Sequence, residues 1–522
     1  MFNLRPIVFF PTAIGLLVMI AISFSSAENF TTVVNGANAF LTKNLGWLYS
    51  GTGVALVLGV FFALFSKVGG VTIGGKGATR VFSPFKWFSV SLTTVIALGI
   101  VFWPVAEAVM HYSNPPMHAQ VQAGTSAALT NAMATMFTHW LFVPYAIYGI
   151  ISMTFALALY NLGMPFSIAT LLRPFLGKYA DGRGAEVIDF IGCFAVVMGM
   201  SATLVSVIMA ISDGFNNVAG TPKNYTVYAI VAFGVMAMAI VSAWSGLQKG
   251  IQILARTNTI LYFCGLGFLF VLGPTAFVLN LGVESFGVYL DEFFQRNLIQ
   301  CAAWKDTWAG YWTVAWFGSW FAWAPITCLF LGRIAKGYTV RQFVFCNFLL
   351  PIFFSWFWFS VFGGTGMHFE MEYDGMMSKA MKNTSFESLV YFLFDQFPAA
   401  FLTKCLFIFV CLISYVTAAN ANLVTIGGLC TKGVSRDNPE SALWLKVFWG
   451  AIIASIAWLG TSYMGLDAIR ALFNISGIAG LIIAIGALIS FTRVVPAAVR
   501  KALMAGELDP LAPPAPIVYE ED

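Results

Sequence analysis

Apolar residues in this chain run in long, nearly unbroken stretches of about twenty, separated by short polar loops. A helix needs about 20 apolar residues to cross some 30 Å of hydrocarbon, and only helices or closed barrels satisfy their own backbone hydrogen bonds there. Twelve such stretches predict twelve spanning helices, at 7–26, 47–66, 87–110, 137–160, 187–211, 226–245, 258–280, 312–332, 342–362, 403–428, 444–462 and 472–492. The segment 281–300 has a different pattern, with Phe286, Tyr289, Leu290, Phe293 and Phe294 among Glu284, Asp291, Glu292 and Arg296. It predicts an amphipathic helix lying along the outer, periplasmic membrane surface. Residues 496–522, rich in proline and acid toward the end, predict a short disordered tail.

Composition agrees. The 522 residues are 59% hydrophobic and only 10% charged, and the mean hydropathy is +0.82. These values exclude an ordinary soluble domain and give an all-α polytopic membrane protein. Charge then orients it. Lys67, Lys76, Arg80 and Lys86 precede the third span, Arg173, Lys178 and Arg183 follow the fourth, and Arg333, Lys336 and Arg341 follow the eighth, whereas 111–135 carries no Lys or Arg. Cytoplasmic loops hold the basic excess, so both termini are expected in the cytoplasm. The net charge of +4 therefore reports orientation and gives no sign of a nucleic-acid partner. The first span, with a lone Arg5 before it and Ser25, Ser26 and Ala27 after it, is read as a retained helix because its apolar run is longer than a signal peptide needs.

Candidate chemistry is sparse. The eight cysteines are scattered singly, and the four histidines, His111, His118, His139 and His368, are too dispersed along the chain to suggest a metal site. No nucleophile, metal or paired-acid constellation points to an enzyme, and no cofactor is expected. Tryptophan is the exception. Trp312, Trp316, Trp320 and Trp323 follow Trp308 in one stretch, and at 100° per residue these four fall within an arc of roughly 80°. Such a wall of indoles attracts cations, quaternary ammonium groups above all. It also serves as packing bulk or interface anchor in other membrane helices.

The same stretch carries a resemblance. Trp312-Thr313-Val314, Trp316, Trp320, Trp323-Ala324-Pro325, Gly332-Arg333-Ile334, Gly337 and Thr339-Val340-Arg341 resemble the signature helix of the betaine/choline/carnitine transporter (BCCT) family. Phe102-Trp103-Pro104-Val105-Ala106-Glu107 with His111-Tyr112 is similar to the family's FWGVAEP segment, and Lys249-Gly250-Ile251, Gly273-Pro274-Thr275 and Phe362-Gly363-Gly364-Thr365 match further segments. The resemblance covers roughly residues 45–495. It implies a LeuT-type fold in which spans three to seven (87–280) and eight to twelve (312–495) form two inverted five-helix repeats after two N-terminal spans (1–66), with the site near the bilayer midplane. It also implies a homotrimer in the inner membrane and a small methylated amine as substrate: betaine, carnitine, choline or trimethylamine. Trp140, Tyr145 and Tyr148 in the fourth span match the family's box positions, with Tyr145 where tryptophan is common. Together with Trp320 they would enclose the cationic head, while Trp316 and Trp323 line the path.

Departures from the family pattern concern coupling. Ser319 stands where the family has a second adjacent tryptophan, either reshaping the pocket or substituting neutrally in packing. The glycine-rich break of the third span is reduced to Val95-Ile96-Ala97-Leu98-Gly99. The tenth span reads Ser414-Tyr415-Val416-Thr417-Ala418-Ala419-Asn420, and the fifth Ala202-Thr203-Leu204-Val205-Ser206-Val207. Thr203 and Thr417 are the oxygens that remain at these sodium-linked places, and weakened or absent sodium coupling is the expectation. Arg256 either replaces the ion or is an ordinary basic residue near the cytoplasmic end. Gly99 stands where proton-coupled relatives have an aspartate, which argues weakly against proton symport. Sodium- or proton-coupled symport and an aromatic channel are the alternatives. Short termini favour a nutrient carrier over an osmotic sensor. Glu107 and Asp189, the carboxylates inside spans, are given structural roles.

Overall fold

Helices account for nearly all of the computed structural model, which describes residues 4–95, 102–244, 247–432 and 441–508. Among the described residues, extended pairing is confined to two isolated bridges, Leu4 with Thr431 and Thr72 with Thr339. Eleven helices are long and apolar enough to cross a membrane. They answer to eleven of the twelve predicted stretches. The remaining one, the third, comprises helices Pro84–Val95 and Trp103–Ser113 on either side of 96–101, which lie outside the described residues.

Local sequence sets where these helices start and stop. Ser26, in extended conformation, ends Pro6–Ser25 and caps Ala27–Phe65 by accepting from the Asn29 amide at 3.1 Å. The 39 residues of that second helix make it about 58 Å long at 1.5 Å per residue, nearly twice the hydrocarbon thickness. Gly220, at φ +67°, closes Arg183–Ala219 in the left-handed conformation that glycine adopts freely.

Three expectations shift. The seventh stretch ends early: helix Leu247–Leu272 stops at Gly273-Pro274, and a new helix begins at Thr275. Pro274 has no amide hydrogen to continue the ladder. The amphipathic segment is therefore Thr275–Asp291 followed by Phe293–Leu298, burying Val278, Leu281, Ser285 and Tyr289 and exposing Val283, Leu290, Phe294 and Leu298. The last helix runs on through Leu466–Met504, so the first nine residues of the expected disordered tail are helical; 509–522 lie outside the described residues. The fourth span is broken at Leu141 (φ −110°, ψ −100°), between helices Ser126–Trp140 and Phe142–Ala156.

The tryptophan helix, Thr313–Ile334, lies at the centre of the molecule, with nearly all of its residues buried. Glycines let its neighbours approach, as small residues do between membrane helices. A Cβ at Gly477 would lie 2.6 Å from Gly318 Cα, and one at Gly480 would collide with the Phe321 carbonyl oxygen, so Leu466–Met504 crosses almost backbone to backbone. Gly199 of Arg183–Ala219 meets Ala322 and the Trp323 ring, and Gly332 faces the Ser152 carbonyl of Phe142–Ala156.

At the Arg5 end of the bundle, the chain start is tied down. Arg5 Nη1 is 2.7 Å from Asp189 Oδ2 and donates to the Leu429 carbonyl at 3.0 Å, while its amide donates to Cys430. Asp189 is fully buried and also accepts from Ser167 and the Ile168 amide.

Candidate functional site

The helix break at Leu141 places Trp140 at the end of one helix and Tyr145 and Tyr148 on the next, all facing the tryptophan helix. Trp320 is the hub. Its ring meets Trp140 at 6.0 Å and 78°, Tyr145 at 5.7 Å and 61°, and Tyr148 at 5.4 Å and 68° between centroids and planes. Each is an edge-to-face contact of the kind aromatic quadrupoles favour. Trp316, one turn earlier, packs at 4.5 Å on Trp140 and at 4.6 Å on Trp103.

These rings enclose a cavity of about 40 Å³ lined by Val95, Trp103, Trp140, Tyr148, Thr203, Ser206, Trp316, Ser319, Trp320, Trp323 and Phe473. Its size suits a few water molecules. The indole nitrogens of Trp316 and Trp320 are buried with no hydrogen-bond partner among the described residues. Trp323 is fixed instead, donating to Thr203 Oγ1 at 2.9 Å. Ser319 Oγ donates to the Trp316 carbonyl at 2.7 Å, and Tyr145 pairs its hydroxyl with Ser355 rather than lining the cavity.

Of the expected site residues, Trp140, Tyr148, Trp316, Ser319, Trp320, Trp323 and Thr203 line this one cavity, and Tyr145 stands behind Trp320. Thr417 and Arg256 do not line it. Thr417 donates to the Ile413 carbonyl within its own helix, and Arg256 lies on an exposed face of Leu247–Leu272. The side chains of Lys249, Gly250 and Ile251, and Ile96 through Gly99 altogether, lie outside the described residues. Trp103, Ser206 and Phe473 enter the cavity unforeseen. Trp103 stood in a recognised motif, and Ser206 lies one turn from Thr203; Phe473, on a distant helix, had no local signal.

The histidines also need correction. Dispersed in sequence, His111 and His139 converge on Glu107, with one ligand atom from each of the three within 4.8 Å of the others. Glu107 is fully buried. Its Oε1 is hydrogen-bonded to His139 Nδ1 at 2.5 Å and lies 3.4 Å from His111 Nε2, and its Oε2 accepts from Trp140 Nε1 at 2.9 Å. The helix pitch puts His111 one turn beyond Glu107, but only the crossing of Ser126–Trp140 brings in His139. His118 and His368 stay apart, the first beside Cys301 and Trp308, the second against Phe277. Outside the spans, burial foremost and then the Arg296 guanidinium push the His118 imidazole below its ordinary range.

The profile of BCCT, the betaine/carnitine/choline family transporter, matches residues 7–499. A probable glycine betaine transporter of Desulfitobacterium hafniense (strain Y51) is 28% identical over 445 residues, covering 85% of this chain and 88% of that relative. Glycine betaine transporter OpuD of Bacillus subtilis (strain 168) is 28% identical over 452 residues, 85% of each chain. The betaine/ectoine transporter LcoP of Corynebacterium glutamicum is 28% identical over 487 residues, 91% of this chain and 75% of its own. A solved Na+-coupled sialic acid symporter in a substrate-bound outward-open state overlays with a TM-score of 0.40 at 11% identity, covering 88% of this chain and 97% of that one. With a family match over nearly its whole length and relatives named as transporters rather than enzymes, this chain belongs to the betaine/carnitine/choline transporter family of multi-pass membrane proteins.

Proposed function

We propose that this transporter carries a small methylated amine of the glycine betaine type across the cytoplasmic (inner) membrane by alternating access, the head held among Trp140, Tyr148, Trp316 and Trp320. The observation carrying this reading is the convergence of aromatic rings from five separate helices on one cavity. A quaternary ammonium offers no hydrogen bond, so cation–π attraction is what recognises it. The names of the relatives support the substrate class. Trp316 and Trp320 also offer unpaired indole donors beside the cavity, suited to a carboxylate on the same substrate. Two inverted repeats, spans three to seven and eight to twelve, would rock about this site. The N- and C-termini are assigned to the cytoplasm from the basic loops, and a homotrimer would use the exposed face of Thr275–Asp291.

Sodium-independent exchange is the mode we favour. Sodium needs several oxygen ligands, yet the Thr203 hydroxyl donates to the Gly199 carbonyl and accepts from Trp323, and the Thr417 hydroxyl is turned back on Ile413. The test is intrinsic fluorescence of the purified protein titrated with betaine, carnitine, γ-butyrobetaine, choline and trimethylamine, each with and without sodium. A saturable response to one amine, indifferent to sodium, is expected. A response that requires sodium keeps the box and replaces exchange by symport, and silence for every amine removes the substrate class.

A further inference from the structure

Glu107, His111 and His139 lie outside the set of cavity-lining residues, yet they touch it through Trp140. The three come from two helices, Trp103–Ser113 and Ser126–Trp140, and all are essentially inaccessible to solvent. A tetrahedral zinc site with bonds of about 2.0–2.1 Å spaces its ligand atoms about 3.3 Å apart. His111 Nε2 already lies 3.4 Å from Glu107 Oε1; His139 Nδ1, at 2.5 Å, would move back by less than an ångström.

Supporting groups surround these three. Metal-bound histidines usually hydrogen-bond through their other nitrogen, and metal-bound carboxylates through their other oxygen. His139 Nε2 is 3.1 Å from Thr313 Oγ1, which leaves Nδ1 facing Glu107, and Glu107 Oε2 is held by the Trp140 indole. His111 Nδ1 is buried with no partner among the described residues, so this ring is the least committed of the three. The Arg470 guanidinium, 4.6 Å over the Trp312 ring, donates to the Tyr311 hydroxyl at 2.7 Å and lies 3.8 Å from Asp467.

We propose that Glu107 Oε1, His111 Nε2 and His139 Nδ1 form a binding site for a zinc-class divalent cation, with a fourth position open, and that its occupancy holds the Trp140 indole in place. Two imidazoles and a carboxylate suit zinc among the first-row metals rather than magnesium or calcium, which prefer all-oxygen sites. The cation takes the place of any proton on the three ligand atoms, since a metal ligand binds deprotonated. Glu107 then gives one oxygen to the metal and keeps the other on Trp140, which couples the metal to a wall of the transport cavity.

The test needs no amine, so it stands apart from the substrate reading. Metal-stripped full-length transporter is equilibrated with zinc alone, and bound metal is counted and examined by X-ray absorption. One zinc per chain is expected, with nitrogen or oxygen at about 2.0–2.1 Å and scattering from two imidazoles. Sulfur at about 2.3 Å would place the metal on the cysteines instead and overturn the site, as would the lack of stoichiometric binding. His111→Gln is expected to weaken zinc binding at least tenfold, while His118→Gln leaves it unchanged; equal affinity in both variants rejects the assignment. Absorption data from the unmodified protein decide the matter should His111→Gln fail to fold. Zinc should also change the tryptophan fluorescence, and Trp140→Phe should diminish the change, the remainder coming from Trp308 and Trp312 against the two imidazoles. An undiminished zinc response in that variant would sever the link to Trp140.

Discussion

Trp320 touches three rings of the box from one position, and its own indole nitrogen is unpaired. A desolvated cation–π contact contributes about 2 kcal/mol, so Trp320→Ala should raise the dissociation constant of the amine about 30-fold, as read by calorimetry on purified protein. Unchanged affinity would remove the box from the account. Ser319 is different: its hydroxyl is already bonded to the Trp316 carbonyl. Ser319→Ala should therefore bind the amine with affinity close to that of the unmodified protein in the same calorimetry. Glu107 holds three donors at once, and its deletion leaves His139 and Trp140 without their acceptor. Removing one partner from a buried charge network costs about 3–5 kcal/mol, and Glu107→Ala should melt well below the unmodified protein in detergent.

Between elements, close approach rather than side-chain volume fixes the tryptophan helix. Gly480 sits against the Phe321 carbonyl with no room for a methyl group. Overpacking of this kind costs about 1–3 kcal/mol, so Gly480→Ala should lower the melting temperature and, by displacing the helix, weaken amine binding too. Gly234, which meets nothing within 4 Å, is the control, and Gly234→Ala should do neither. Arg5 stitches the start of the chain to Arg183–Ala219 and to the end of Ala400–Leu429. Asp189, fully buried, would lose its counter-charge in Arg5→Ala, and a loss of stability of the same order as for Glu107→Ala is expected.

The molecule as a whole must present its two ends to different compartments. Ala123 and Lys178 are both exposed, the first in the turn before the fourth span and the second in the short helix Gly177–Ala180 beyond it. In a cysteine-free background, an impermeant thiol reagent added to intact cells should label Ala123→Cys and spare Lys178→Cys; the reverse pattern would invert the assigned topology. Exchange makes a further demand on the whole protein. Proteoliposomes preloaded with unlabelled amine should take up labelled amine faster than empty ones in sodium-free buffer, whereas a channel would show no such trans-stimulation.

Hydropathy alone was enough to assign eleven of the twelve spans, because hydrocarbon allows so few backbone solutions. The tryptophan stripe was equally legible, since helical pitch puts Trp316, Trp320 and Trp323 on one face wherever the helix packs. Trp140 and Tyr148 came from matching a motif rather than from physics, and the structure brings them to Trp320 by breaking the fourth span at Leu141. Trp103 and Phe473 reached the cavity only through helix crossings, and His139 met Glu107 across 32 positions of sequence. Periodicity is a local signal and fixes which face a residue occupies. Which faces meet depends on contacts between residues far apart in the chain, such as Gly477 against Gly318, so the walls of the cavity and the Glu107 cluster were decided by tertiary packing.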